Sequence, residues 1–206
     1  MARICCIGSN LESYESLKFL VEKGCRIHSL ITLPAGRRQN VSDYYDLHPF
    51  CETHGIQTID TTNVNSEETV AAVKSMAPDY LFTLGWSQIF REAFIKCFNA
   101  FVIGTHPSKL PYGRGRAPLP WTILEGLTES AVSFFKIDTG VDTGMLIAQR
   151  EFNIAPDAYV SDLYDTVARE LSQGFYDIYH QIESGEPFQL SPQADSGVTV
   201  RGKRSP

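Results

Sequence analysis

Short apolar runs alternate with segments of helical periodicity along most of this chain. The apolar runs predict strands over residues 3–8, 26–33, 56–59, 79–85, 100–104 and 131–137, and a weaker alternation predicts a strand over 145–154. Apolar residues three or four positions apart predict helices over residues 11–21, 42–54, 66–76, 88–97, 118–125 and 161–183. The last of these is long and amphipathic, and is expected to pack across a sheet.

Polar and conformationally special residues mark several helix ends. Ser9 with Glu12 fits a capping box ahead of the first helix, and Ser66 fits the cap of the third. Pro49 is expected to disturb the second helix, which Gly55 ends.

This alternation predicts a Rossmann-like α/β fold, with a mostly parallel twisted sheet and helices on both faces. The strand over residues 145–154 is expected to run antiparallel at one edge. Residues 1–185 are predicted to form one catalytic domain, and 186–206 are either a tail or the start of a truncated C-terminal segment. Ligands of such sheets bind beyond the carboxyl ends of the strands, which is where His106 falls.

Composition narrows the class of protein further. The chain has 206 residues, 43% of them hydrophobic, and a net charge of -6, which disfavours a nucleic-acid partner. The basic clusters at 37–38, 114–116 and 201–204 each suit one phosphate. The five Cys have no metal-ligand spacing, so we expect buried free thiols in a reducing compartment and no metal. No run is long enough for a signal peptide or a membrane span, which favours the cytoplasm.

One histidine differs from the other four. His28, His48, His54 and His180 lie in ordinary helix or strand patterns and are expected to be structural or surface residues. His106 directly follows a predicted strand and precedes Pro107, which favours extended backbone before it.

Two aspartates and two arginines complete the candidate chemistry. Asp138 and Asp142 flank a glycine turn, where an Asp serves either turn formation or catalysis. A carboxylate beside an imidazole would favour its charged form and fix its tautomer. Arg114 and Arg116 could clamp an anion or be solvated loop residues. A Ser/His/Asp triad lacks a GxSxG elbow and is disfavoured.

The segment around His106 resembles the folate-dependent formyltransferase family. That family shares the motif Asn-x-His-x-Ser-x-Leu-Pro-x-x-Arg-Gly, followed by Asp-x-Gly. This chain reads GTHPSKLPYGRG over residues 104–115 and DTG over 142–144. The interval from His106 to Asp142, 142 − 106 = 36 positions, also fits.

The resemblance implies formyl transfer from 10-formyltetrahydrofolate to a primary amine, without a metal. It assigns His106 as general base and acid, and Asp142 as the residue that orients it. It places the folate against Gln88, Ile89, Phe90, Arg116, Asp138, Thr139, Gly140 and Val141, and the acceptor against Ser108 and Arg114. Acceptor contacts are also expected from residues 34–40.

Within the family, the loop GRGRAPLPW looks most like enzymes that formylate nucleotide-linked amino sugars. The alternatives are another amine formyltransferase, of the glycinamide ribonucleotide or siderophore type, or a folate- or nucleotide-sugar-binding relative with impaired catalysis. A deformylase-type hydrolase is a further alternative. Methionyl-tRNA formyltransferases add an RNA-facing domain to the same core. No membrane partner is expected, and a homodimer stays open.

Gly104 departs from the family motif, which has Asn at that position to bind the formyl oxygen. Positions 104 and 106 of a strand share a face, whereas Thr105 points away. Ser87, Ser108, a backbone NH or a water could supply the missing donor. Loss of one such donor costs about 3 to 4 kcal/mol of transition-state stabilisation. Gly104→Asn is expected to raise the rate if the pocket accommodates the side chain.

Overall fold

The computed structural model describes residues 1–36 and 44–202 of the chain. The strands are β1 (Ile4–Gly8), β2 (Ile27–Thr32), β3 (Gln57–Asp60), β4 (Tyr80–Gly85), β5 (Phe101–His106), β6 (Arg114–Gly115), β7 (Glu129–Lys136), β8 (Leu146–Asn153) and β9 (Val200–Arg201). The helices are α1 (Leu11–Glu22), α2 (His48–His54), α3 (Glu67–Met76), α4 (Glu92–Ile95), α5 (Pro118–Leu124) and α6 (Val160–Ser184).

Seven strands form one sheet in the order β3-β2-β1-β4-β5-β7-β8. Strands β1 to β5 pair in parallel, and β8 runs antiparallel to β7 at the edge. The sheet confirms the mostly parallel Rossmann-like α/β fold and the antiparallel edge strand predicted over residues 145–154. A parallel pair requires a crossover connection, and the helices between β1 and β4 supply it.

The chain divides into two compact units, one of Met1–Ile103 with Phe175–Glu186, the other of Gly104–Gly174 with the chain from Pro187 onward. In the first unit β1 is fully buried, and the rings of Phe82 and Phe175 stack 4.7 Å apart between β4 and the second half of α6. All five cysteines are buried free thiols of this unit, as predicted. Burial raises the pKa of Cys5 to about 12, so its thiol stays protonated and unreactive at neutral pH.

The second unit contains the β7–β8 pair, α5 and the first half of α6, around a core that includes Val132, Phe134 and Leu163. It also contains a two-stranded parallel sheet of β6 with β9. The sequence predicted neither strand, because both are two residues long and lie in polar, glycine-containing segments. The polar segment after residue 186 therefore returns to pair with the loop that follows His106.

Two predicted helix starts in the first unit were wrong. Helix α1 is capped by Asn10, whose side chain accepts from the Ser13 amide, and not by a capping box at Ser9. Helix α2 begins at His48, so Pro49 lies in its first turn, where its missing NH has no partner to lose. Residues 44–47 are not helical, and 42–43 lie outside the described residues.

Two further boundaries change the surroundings of the predicted ligand residues. The helix predicted over residues 88–97 is reduced to Glu92–Ile95, so residues 88–90 are irregular backbone. Strand β5 continues past Gly104 and ends at His106, which places this side chain on the strand itself. No helix in the described part of the chain is long and apolar enough to cross a membrane.

Candidate active site

His106 is the last residue of β5 and is 6% exposed. Its Nε2 lies 2.8 Å from the carbonyl oxygen of Gly113. A carbonyl can only accept a hydrogen bond, so Nε2 carries the proton and donates it. In the neutral ring, Nδ1 then holds the free lone pair and is the nitrogen that can take up a proton.

Asp142 faces that free nitrogen. Its Oδ2 lies 3.6 Å from Nδ1 of His106, which is longer than a hydrogen bond but close for a charge interaction. The same oxygen accepts a 2.8 Å hydrogen bond from the Gly115 amide, which fixes the carboxylate to the loop beyond His106. An imidazolium formed at His106 would be stabilised by this carboxylate, so the pair can accept a proton and hold it.

Asp138 shapes the turn that carries Asp142. Its Oδ1 accepts hydrogen bonds from the Gly140 amide at 2.9 Å and from the Thr143 hydroxyl at 2.7 Å. Its carboxylate thus forms the turn, which is one of the two roles that the sequence left open. Residues 138–141 are all exposed, and the Val141 side chain is 54% exposed. Their contact with folate stays a prediction.

Ser108 holds the loop after β5 in shape. It is buried, and its hydroxyl donates to the carbonyl oxygen of Tyr112 at 2.7 Å. The Ser133 hydroxyl donates to the Ser108 carbonyl at 2.6 Å, so β7 also fixes the loop. These bonds present the Gly113 carbonyl to His106, and a contact of Ser108 with an acceptor stays a prediction.

The two loop arginines differ in their surroundings. Arg114 donates from Nε and Nη2 to Oε1 of Gln193, at 3.0 and 2.6 Å. Arg116 has an exposed side chain, and its amide donates to the Arg201 carbonyl at 2.9 Å. Contacts of these side chains with acceptor and folate stay predictions. Gln193 was missed by the sequence reasoning, because one glutamine in an irregular polar segment carries no signal of its own.

Gly104 lies against two side chains that fill the space beside it. A Cβ at this position would lie 2.7 Å from Cγ1 and 2.9 Å from Cδ1 of Ile137, and 3.0 Å from Cζ of Phe135. The pocket therefore does not meet the condition under which Gly104→Asn was expected to raise the rate. Ile137 and Phe135 occupy the volume that the family's Asn would need.

The predicted folate residues of the first unit are held by their own loop contacts. Gln88 accepts from the Val64 amide at 3.1 Å, and the Asn65 side chain donates to the Ile89 carbonyl at 2.9 Å. The Ile89 side chain is 72% exposed, whereas Phe90 is buried. This leaves an ordered, irregular backbone segment, and its contact with folate stays a prediction.

Other predicted ligand groups are only partly described. The acceptor loop expected over residues 34–40 is described only to Gly36, so Arg37 and Arg38 lie outside the described residues, as do Lys203 and Arg204. Within the described ranges, no group of three or more His, Cys, Asp or Glu side chains could hold a metal ion.

A family model named Formyl transferase matches residues 26–178 of the chain. Among curated relatives, methionyl-tRNA formyltransferase of Geotalea uraniireducens is 31% identical over 169 residues, covering 81% of this chain and 54% of that protein. The chain thus spans about half the length of the curated relatives it matches, as the 50% coverage of the Geobacter metallireducens methionyl-tRNA formyltransferase also shows.

Solved structures share the fold over most of the chain. An N-formyltransferase of Helicobacter canadensis, solved with folinic acid and dTDP-3-aminofucose, has a TM-score of 0.72 and 21% identity, covering 98% of this chain and 71% of that one. Phosphoribosylglycinamide formyltransferase of Bacillus halodurans has a TM-score of 0.75 and 18% identity, covering 90% and 97%. At these identities the likeness establishes the fold.

Proposed function

This chain belongs to the formyl transferase family, and we propose that it transfers a formyl group from 10-formyltetrahydrofolate to the primary amine of a nucleotide-linked amino sugar. The observation that carries the proposal is the pairing of His106 Nδ1 with the Asp142 carboxylate, 3.6 Å apart at the carboxyl end of β5. Formyl transfer requires a proton acceptor for the attacking amine, and this imidazole has one nitrogen free for that purpose.

The proposed reaction moves one proton and one acyl group. The acceptor nitrogen attacks the formyl carbon while Nδ1 of His106 removes its proton, and Asp142 stabilises the resulting imidazolium. The C–N bond to folate N10 then breaks, and the imidazolium returns the proton to that departing nitrogen. The acceptor amine has then lost one proton and folate N10 has gained it, so protons balance and His106 is restored to its neutral form.

Folate contacts are proposed for the backbone of Gln88, Ile89 and Phe90, for the 138–141 turn, and for Arg116. The irregular backbone at residues 88–90 supports this, because its NH and CO groups are not all used by a helix. The Helicobacter canadensis neighbour, which was solved with folinic acid, offers support by its shared fold. The acceptor contacts proposed for Ser108 and Arg114 lie on the loop next to His106.

Two observations support a sugar acceptor. The loop GRGRAPLPW resembles that of sugar-modifying members, and the same Helicobacter canadensis neighbour was solved with dTDP-3-aminofucose. The net charge of -6 also disfavours a large polyanionic acceptor. A second candidate acceptor is the amino group of methionyl-tRNA, favoured by the 31% identity to a methionyl-tRNA formyltransferase.

An acceptor panel tests the proposal. The chain is incubated with 10-formyltetrahydrofolate and, separately, nucleotide-linked amino sugars, glycinamide ribonucleotide and charged methionyl-tRNA, while tetrahydrofolate release is followed. We expect release with one of the amino sugars and none with the other acceptors. Turnover with methionyl-tRNA alone would move the function to the second candidate. Folate binding without turnover on any acceptor would contradict the proposed activity.

A further inference from the structure

Gln193, in the segment after α6, uses both polar atoms of its side chain within the second unit. Its Nε2 donates to the carbonyl oxygens of Asp142, at 2.8 Å, and of Gly144, at 2.9 Å. Its Oε1 accepts two hydrogen bonds from the guanidinium of Arg114. One side chain thus connects the turn that carries the candidate carboxylate with the loop that follows the candidate base.

The first of these connections fixes the backbone carbonyls of Asp142 and Gly144, which lie on either side of Thr143. Asp142 has a φ of 53°, a left-handed conformation that a non-glycine residue keeps only when its surroundings hold it. The turn itself is largely exposed, so few packing contacts restrain it. The hydrogen bonds to Asp138 within the turn supply part of that restraint, and those from Gln193 to the carbonyls of residues 142 and 144 supply the rest.

The second connection fixes the loop that touches both catalytic candidates. The Gly113 carbonyl accepts from His106 Nε2, and the Gly115 amide donates to the Asp142 carboxylate. Between them lies Arg114, which Gln193 holds by a bidentate hydrogen bond. Displacement of Arg114 would shift the partners of His106 and Asp142 together.

Strand β9 holds the same loop from its other side. Gly115 approaches the β9 backbone so closely that a Cβ would lie 2.3 Å from the Arg201 carbonyl oxygen. The Arg201 guanidinium pairs with Glu125 and lies 5.1 Å from the ring centroid of Trp121. The segment is therefore anchored at residue 201 and reaches the candidate site at Gln193.

We propose that Gln193 is a positioning residue, which holds the Asp142 carboxylate at the distance from His106 that proton transfer requires. The residue acts through the two backbone segments that it joins. The catalytic region proposed over residues 1–185 is thereby extended to Gln193. The kinetic consequence rests on the proposed formyl transfer, whereas the effect on the state of the His106 ring does not.

The test replaces the side chain without changing its size. Gln193→Met keeps the volume but removes all four hydrogen bonds, and Gln193→Glu keeps the acceptor for Arg114 but loses the donor to residues 142 and 144. Gln189→Met is the matched control, because Gln189 is an exposed glutamine of the same segment. The readouts are steady-state kinetics on the acceptor found in the panel, and nitrogen NMR of the His106 ring in the ligand-free protein, assigned with His106→Gln.

We expect both Gln193 variants to lower kcat by about 10- to 100-fold, the effect of a misplacement near 1 Å, with KM for 10-formyltetrahydrofolate within about twofold. The ring of wild-type His106 should show a protonated Nε2 and a free Nδ1, and both variants should lose this single pattern. Should Gln193→Met not fold, Gln193→Glu carries the comparison.

An unchanged ring pattern, or a kcat no lower than that of Gln189→Met, would overturn the positioning role. If the wild type shows no turnover on any acceptor, the proposed function fails, and the ring pattern alone decides the role of Gln193. A loss of the pattern in both variants would still support it in that case.

Discussion

Two histidines of this molecule lie beside aspartates, and they differ in what their ring nitrogens do. In His48, Nδ1 lies 2.7 Å from Asp46 Oδ1 and Nε2 lies 2.8 Å from Asp60 Oδ1. In His106, only Nε2 has a hydrogen bond of this length within the described ranges of the chain, and Nδ1 lies 3.6 Å from Asp142. Both ring nitrogens of His48 are within hydrogen-bond distance of a carboxylate, whereas in His106 one nitrogen is hydrogen-bonded and the other keeps its lone pair.

This difference separates a structural imidazole from one that can exchange protons. Burial alone would lower the pKa of His48, but its hydrogen bonds to Asp60 and Asp46 raise it above its ordinary value. When both ring nitrogens donate to carboxylates, the ring is charged and has no lone pair to offer as a base. Proximity to aspartate is therefore not what makes a histidine a catalytic candidate, and the free nitrogen is.

The largest effect is expected at His106. His106→Ala removes the proposed base and should lower turnover by about 10²- to 10⁴-fold. His48→Ala is the matched substitution and should keep turnover within about twofold. Equal losses in the two variants, measured by tetrahydrofolate release, would remove the distinction between the rings.

A smaller loss is expected when Asp142 keeps its shape but loses its charge. Asp142→Asn can still accept from the Gly115 amide, but it no longer stabilises an imidazolium, so kcat should fall by about 10- to 100-fold. Asp46→Asn is the corresponding change beside His48 and should leave kcat unaltered. If kcat of Asp142→Asn equals that of the wild type, the His106–Asp142 pair does not carry the proton transfer.

A stability effect is expected at Gly104, on the same strand face as His106. Gly104→Asn should lower the free energy of unfolding by about 1–3 kcal/mol, because the side chain enters space held by Ile137 and Phe135. Addition of Ile137→Ala should recover part of that loss, measured by urea unfolding against the Ile137→Ala single variant. A Gly104→Asn variant as stable as the wild type would show that the space is available. In that case its chemical rate tests the missing oxyanion donor directly.

The smallest effect concerns the pH dependence contributed by His48. Because the pKa of His48 is raised in the folded state, its ion pairs stabilise fully below the unfolded pKa of about 6.5, and this stabilisation is lost as pH rises through the folded pKa. His48→Gln should therefore be less stable than the wild type at pH 6, by less than about 1 kcal/mol, and nearly equal to it at pH 8.5.

Urea unfolding of the wild type and His48→Gln at pH 6 and pH 8.5 measures the difference in their free energies of unfolding. The control is His54→Gln, since the His54 ring contacts the Phe50 carbonyl and, among the residues that the structure describes, forms no ion pair with a carboxylate. If the difference in free energy of unfolding between His48→Gln and the wild type stays constant from pH 6 to pH 8.5, His48 does not form charged hydrogen bonds to both carboxylates.

The elements with strong local signals were predictable from the sequence. Strands β1 and β4 are continuous apolar runs with buried side chains, and α6 buries Leu163, Val167 and Leu171 on one face, as their spacing indicates. The helix over residues 88–97 was overestimated because apolar spacing alone cannot show that a segment is held by loop contacts, such as those of Asn65 with residues 89 and 91.

The site was predictable only as far as its motif extends. His106 and Asp142 could be named from their positions, but the free Nδ1 depends on the Gly113 carbonyl, which no pattern of residue types predicts. Ile137 packs against Gly104 from 33 positions away, and the hydrogen bonds of Gln193 reach residues 49 or more positions away. Such contacts are set by the folded geometry and leave no local periodicity.

The pairing of β9 with β6 also means that the loop after His106 is synthesised well before the strand that pairs with it. During synthesis the chain grows at about 5–20 residues per second, so Gln193 follows Gly115 by roughly 4–16 seconds. Over that interval the loop beyond His106 has been made but lacks Arg201 and Gln193 as partners. The nascent protein therefore carries His106 well before it carries Gln193 and Arg201, so the contacts of these two residues with the loop form late in synthesis.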